Sequence, residues 1–213
     1  MSVKVFGVPG SPYVRAVMIG LEEKRVPYDF VAVAPGSTKS PEHLARHPFG
    51  RVPAFAHDGF ALYETQAILR YLDAAFDGPA LRPGDIKALA RMDQLVGICD
   101  WYLFPQVGVT IGFQRIVKAL IGMGAPDEEI IAKAIPNAER CFAVIAGFLQ
   151  TPFLTGAQPS IADIMIAAHM SLLMGASECK AIVAKHPALA DWLARMEARP
   201  SMQQTDLLKR KAA

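Results

Sequence analysis

Cysteine is scarce in this chain: three in 213 residues, Cys99, Cys141 and Cys179, far apart and odd in number. That set supports neither a disulfide framework nor a CxxC redox pair, and fits reduced, buried thiols in a cytoplasmic protein. An excess of either charge is also missing. Twenty-two basic residues against 20 acidic ones leave a formal net charge of +2 with no basic stripe, so nucleic acid is not an expected partner. The five histidines lack HExxH or comparable ligand spacing, and no metal site is expected. The start, Met1-Ser2-Val3-Lys4-Val5, does not read as a secretory leader. No apolar run approaches the roughly 20 residues that cross a bilayer, so no membrane partner is expected. Internal repeats and low-complexity tracts are absent too.

What remains is a chain with 52% hydrophobic and 20% charged residues, the balance of a globular protein long enough to bury a sizeable core. Its first part alternates strand and helix. Val3-Lys4-Val5-Phe6 reads as a strand closed by Gly7, and Val14, Val17, Met18 and Leu21 form an apolar stripe at helical spacing up to Pro27. Tyr28-Asp29-Phe30-Val31-Ala32-Val33 reads as a second strand by alternation. Pro35 to Pro41 is a loop, followed by one or two helical turns from Pro41. Asp58-Gly59 suits a type I′ turn, which predicts a hairpin of Ala54–His57 with Phe60–Tyr63, and a helix from Thr65 to about Phe76 closes the unit. The expected first domain, 1–78, is thus an α/β unit with a mixed sheet; the Gly- and Pro-rich stretch 79–84 is a linker. From 85 to 213 only helical periodicity appears, over roughly 85–120, 127–149, 160–175, 178–185 and 187–198, which predicts an all-α bundle.

Several short motifs carry both a structural and a chemical meaning. Ser11-Pro12 is an ordinary N-cap followed by proline at the first helical position, yet a hydroxyl there can also donate to an anion at the helix start. Val52-Pro53 opens a strand, and Glu64-Thr65 stands at a strand-to-helix junction as a capping pair or as a carboxylate and a hydroxyl facing a ligand. Ser160-x-x-Asp163, flanked by Pro159 and Ile164, is a capping box and is assigned to structure. Trp101, Tyr102, Phe104 and Phe113 fall in the long helical segment, where such residues are more often core than pocket.

Taken together and in order, these segments resemble the soluble glutathione transferases. Phe6-Gly7-Val8-Pro9-Gly10-Ser11-Pro12 is similar to their serine-type active-site loop, closest to the phi class and its bacterial relatives. His47-Pro48-Phe49-Gly50-Arg51-Val52-Pro53 corresponds to a segment in which that class has Asn for His47 and commonly Gln for Arg51. Tyr63-Glu64-Thr65-Gln66-Ala67-Ile68 and Gly156-x-x-x-Ser160-Ile161-Ala162-Asp163-Ile164 complete the match. The resemblance implies a thioredoxin-like first domain with a four-stranded mixed sheet, an all-α second domain, glutathione as co-substrate, no metal and a homodimer. It also implies roles for single residues. Ser11 stabilises the thiolate, which is the nucleophilic form. Val52, before a cis Pro53, pairs its backbone with the cysteinyl backbone of glutathione. Glu64 and Thr65, where the family more often has Ser, hold the γ-glutamyl end. Lys39 and Arg51, with His43 as a further candidate, face the glycyl carboxylate. Pro12, Tyr13, Trp101, Tyr102 and Phe113 are the candidates for a small, apolar electrophile. The same scaffold also serves dehalogenases, ether-cleaving lyases, isomerases and non-catalytic glutathione binders.

Overall fold

The structure is a computed structural model that describes residues 1–34 and 36–206. Pro35 of the expected loop, and 207–213 of the expected helical domain, lie outside the described residues. The described chain divides into two compact units, Met1–Arg82 with the residues from Ala198 onward, and Pro83–Glu197.

In the first unit, four short strands form one sheet in the order β2-β1-β3-β4: β1 (Val3–Gly7), β2 (Asp29–Ala32), β3 (Ala54–His57) and β4 (Phe60–Tyr63). β1 runs parallel to β2 and antiparallel to β3, and β3 and β4 form the hairpin. Asp58 and Gly59 both take positive φ, +46° and +90°, as the type I′ turn requires. Helix α1 (Pro12–Glu23) connects β1 to β2, the one-turn helix α2 (Pro41–Leu44) follows a short 3₁₀ turn, and α3 (Thr65–Ala75) follows β4. α1 and α3 pack together through Val17, Leu21, Ile68, Leu69 and Leu72, all buried. Gly20 permits their close approach, because a Cβ there would lie 2.5 Å from Leu69 Cδ2.

Two buried carboxylates fasten the ends of this unit. Asp73 accepts from Lys24 Nζ, from the Leu81 N–H at 2.7 Å and from Arg82 Nε at 2.8 Å, so residues beyond Pro79 are tied to α3. Glu23 receives Arg199 in a bidentate pair, 2.7 Å on each oxygen, and the Ser201 hydroxyl. Those contacts lay the short helix α9 (Pro200–Gln204) on α1. The sequence reading stops its last helix at 198 and counts the following residues with the helical half; α9 is instead grouped with the sheet.

The second unit is all helical: α4 (Ile86–Ile121), α5 (Glu128–Gly147), α6 (Ile161–Leu173), α7 (Ser177–Val183) and α8 (Pro187–Glu197). The middle of α4, Cys99–Val117, is π-helical, wound with i→i+5 bonding. Pro105 sits inside it; proline has no N–H to donate and would crowd the carbonyl four residues earlier in a regular α-helix. By length and composition α4 is apolar enough to cross a bilayer, although its sequence holds no unbroken apolar run of that length. Cys99, Leu103, Val107 and Ile111 on one side of it are buried in the unit's own core. α6 is the innermost helix, buried continuously from Ile161 to Met170. Arg115 of α4 bridges Glu128 at the start of α5 and Glu178 in α7.

Candidate functional site

Strand register brings three of the motif segments to one end of the sheet. Phe6 of β1 pairs with Ala54 of β3, and Ala54 pairs with Tyr63 of β4. The residues that leave β1, enter β3 and leave β4 are Gly10–Tyr13, Val52–Pro53 and Glu64–Thr65. Thr65 closes the group: its buried hydroxyl donates to the Tyr13 carbonyl at 3.4 Å, joining the start of α3 to the first turn of α1.

Ser11 is the N-cap of α1. Its N–H donates to the Val8 carbonyl at 3.1 Å, and its Oγ accepts from the Val14 N–H at 3.5 Å. The hydroxyl proton is not used in that cap, since an oxygen accepts through a lone pair. Pro12 at the first helical position is buried and Tyr13 is half-buried. Gly7 is required beneath this turn, because a Cβ would fall 2.5 Å from Val14 Cγ2.

The Val52–Pro53 peptide is cis, and Val52 is half-buried beside it. Glu64 precedes α3 with φ +70° and ψ 111°, a conformation that side chains other than glycine seldom adopt. Its exposed carboxylate makes no cap to α3. The N-cap is therefore Glu64 rather than Thr65, and its side chain makes no hydrogen bond to the first turn of α3.

The loop between α2 and β3 supplies the remaining candidates. Lys39 is exposed and its Nζ donates to the Phe49 carbonyl at 2.9 Å. Arg51 is exposed as well. His43 is different: it is 2% exposed, and its Nε2 lies 2.7 Å from the Arg51 carbonyl oxygen. A carbonyl only accepts, so Nε2 carries the proton, and the imidazole is committed to the backbone rather than turned toward solvent. The His47 ring lies 4.8 Å from Tyr63 at a tilt of 36° and stacks near-parallel to His43 at 6.5 Å. Burial pushes its imidazole below the usual histidine range, the nearby Glu64 carboxylate opposing and His43 adding to the shift. Gly50, at φ +60°, lies under the side chain of Lys39, and a Cβ there would meet the Thr38 carbonyl oxygen at 2.7 Å.

The candidates of the helical unit all stand on α4. Trp101 is 76% exposed and Tyr102 more than half exposed, whereas Phe113 is half-buried. Phe104 packs edge-on against His169 in the core. The roles of His43 toward Arg51 and of Thr65 toward Tyr13 escape sequence reasoning; the one signal for His43 is its place after a Ser-Pro helix start, which orients it back toward its own loop.

A model of the glutathione S-transferase N-terminal domain matches residues 5–80, and one of the C-terminal domain matches residues 128–195. Glutathione S-transferase hmp2 of Hypomyces subiculosus is 30% identical over 205 residues, covering 93% of this chain and 95% of that protein. The chain belongs to the glutathione S-transferase family. Glutathione S-transferase 3 of Zea mays is 29% identical over 208 residues, with 95% of this chain and 92% of the maize protein covered. The crystal structure of glutathione transferase F7 from Populus trichocarpa, an F-type or phi protein, matches with a TM-score of 0.85 at 27% identity, over 95% of this chain and 97% of its own. The expected resemblance and the two-part transferase fold are borne out by these matches. As a glutathione S-transferase the protein is an enzyme of glutathione conjugation.

Proposed function

We propose that this transferase ionises glutathione at Ser11 and adds its sulfur to small, apolar electrophiles. A cysteine thiol has a pKa near 8.5, so a site that works near neutrality must favour the thiolate. Ser11 Oγ accepts the Val14 N–H and keeps its single proton for the sulfur. A hydrogen bond to the charged form, in the field of a helix N-terminus, lowers the thiol pKa. The Val52 backbone pairs with the cysteinyl backbone as an added strand would. Glu64 receives the γ-glutamyl ammonium, and Thr65 with the first N–H groups of α3 receives its carboxylate. Lys39 and Arg51 attract the glycyl carboxylate. Pro12, Tyr13, Trp101, Tyr102 and Phe113 are the residues proposed for the electrophile. The protein is proposed to act as a cytoplasmic homodimer, with 1–78 as its glutathione-binding domain, 79–84 as linker and its helical domain beginning at 85.

The observation that carries this reading is the meeting of Ser11, Val52 and Glu64–Thr65 at one end of the sheet, through the pairing of Phe6, Ala54 and Tyr63. The decisive measurement is the ultraviolet absorbance of bound glutathione thiolate titrated against pH. Wild type is expected to titrate about one to two units below the free thiol, and Ser11→Ala to return to near 8.5 while still binding glutathione. Equal midpoints in the two proteins would remove Ser11 from the chemistry.

A further inference from the structure

We infer that His43 is a positioning residue for glutathione: it aims the Val52 N–H at the cysteinyl carbonyl by holding the other end of the same peptide group. The inference rests on the assignment of Val52 proposed above. The Arg51–Val52 peptide is planar and trans, as the Val52–Pro53 bond is the cis peptide among the described residues. In a trans peptide the C=O and N–H point in opposite directions, so fixing the Arg51 carbonyl fixes the direction of the Val52 N–H. His43 Nε2–H does this at 2.7 Å from a ring that is 2% exposed.

The ring is itself tightly placed. The Ser40 hydroxyl caps α2 by accepting from the His43 N–H at 3.2 Å, and the His43 carbonyl accepts the His47 N–H at 2.9 Å. An imidazole suits the task, because its planar ring supplies a directional N–H donor at a buried position. A second side-chain-held carbonyl of this loop, that of Phe49, is bound by the exposed Lys39. Lys39 can leave that carbonyl for a ligand; His43 has no such freedom. His43 Nδ1 is buried and has no hydrogen-bond partner among the described residues, so the ring is retained for the single bond its Nε2 makes.

The test is calorimetric binding of glutathione and of its trans-alkene isostere, in which the Cys–Gly peptide bond is replaced and the cysteinyl carbonyl lost. Three proteins are compared: wild type, His43→Met, similar in size without a donor, and His43→Gln, whose amide places a donor near the Nε2 position. His43→Met is expected to weaken glutathione about tenfold, the worth of one buried hydrogen bond, with kcat at saturating glutathione changed less than about threefold. His43→Gln restores most of the affinity. The isostere binds wild type and His43→Met equally, since the contact that His43 aims is already gone. Unchanged glutathione affinity in His43→Met, or a failure of His43→Gln to recover it, overturns the inference. If wild type does not distinguish glutathione from the isostere, the Val52 assignment falls first and takes this one with it. Should His43→Met not fold, His43→Asn, polar but too short to reach the carbonyl, takes its place with the same expectations.

Discussion

Asp163 is the side chain whose removal should cost this fold most. It is fully buried, and both carboxylate oxygens are saturated. Oδ1 accepts from the Leu154 N–H at 2.8 Å and from Trp192 Nε1 at 2.9 Å, while Oδ2 accepts from the N–H and the hydroxyl of Ser160, each at 2.8 Å. One carboxylate thereby joins the segment before α6, the start of α6 and α8. Burial is the largest influence on its carboxyl group and raises it above the usual range; the four donors offset that only in part. In Asp163→Ala the Ser160 hydroxyl can rotate to a new partner, but the Leu154 and Ser160 N–H groups and the Trp192 indole N–H remain buried. Each stranded donor costs roughly 1–3 kcal/mol. Relief of the buried charge returns some of this, so the net loss is about 3–5 kcal/mol, a large share of a typical domain's stability. Asp163→Asn keeps an acceptor for Leu154 and Trp192 but turns an amide N–H₂ toward the Ser160 N–H, and is expected to lose about 1–3 kcal/mol. Urea unfolding followed by tryptophan fluorescence provides the ranking, with the midpoint falling at unchanged m. An Asp163→Ala midpoint within about 1 kcal/mol of wild type would refute the donor-counting argument.

His169 and Gly50 give two further expectations. Burial drops the His169 imidazole to about 4, with its bond to the Met165 carbonyl opposing the shift, so the folded state holds it neutral. Because its folded pKa is depressed, its contribution is complete above the unfolded value near 6.5 and is lost as pH falls toward 4, amounting to a few kcal/mol. Urea midpoints measured from pH 7 to pH 4 should therefore fall less steeply in His169→Phe than in wild type; parallel slopes would exclude the histidine as the source. Gly50→Ala places a Cβ at φ +60° and 2.7 Å from the Thr38 carbonyl, with an expected loss of about 2 kcal/mol and a raised KM for glutathione. A melting temperature and KM equal to wild type would show that the loop before Val52 can shift without consequence.

Much of the first unit follows from local chemistry. Asp58-Gly59 demands the hairpin, Ser11-Pro12 starts α1, and the apolar stripe through Val14, Val17, Met18 and Leu21 sets its buried face, all of which the structure repeats. The helical spans of the second unit also follow their periodicity to within a few residues. α9 was not legible, because the five residues Pro200–Gln204 are too few to show a period; the ion pair of Arg199 with Glu23 helps to place it. The bilayer-length apolarity of α4 was missed for a similar reason, since scattered polar residues interrupt its runs without lowering its mean hydropathy enough.

Spacing and capping determined which segments are strand, helix and turn, since those depend on neighbours within a few residues along the chain. Only tertiary structure decided that His43 meets the carbonyl of residue 51, that Thr65 reaches back to Tyr13, and that Trp192 shares a carboxylate with residues 154 and 160. A periodic pattern states which face of an element avoids water. It carries no record of which polar group on another element will end within hydrogen-bond reach, because that is set by strand register and helix packing acting across the folded chain.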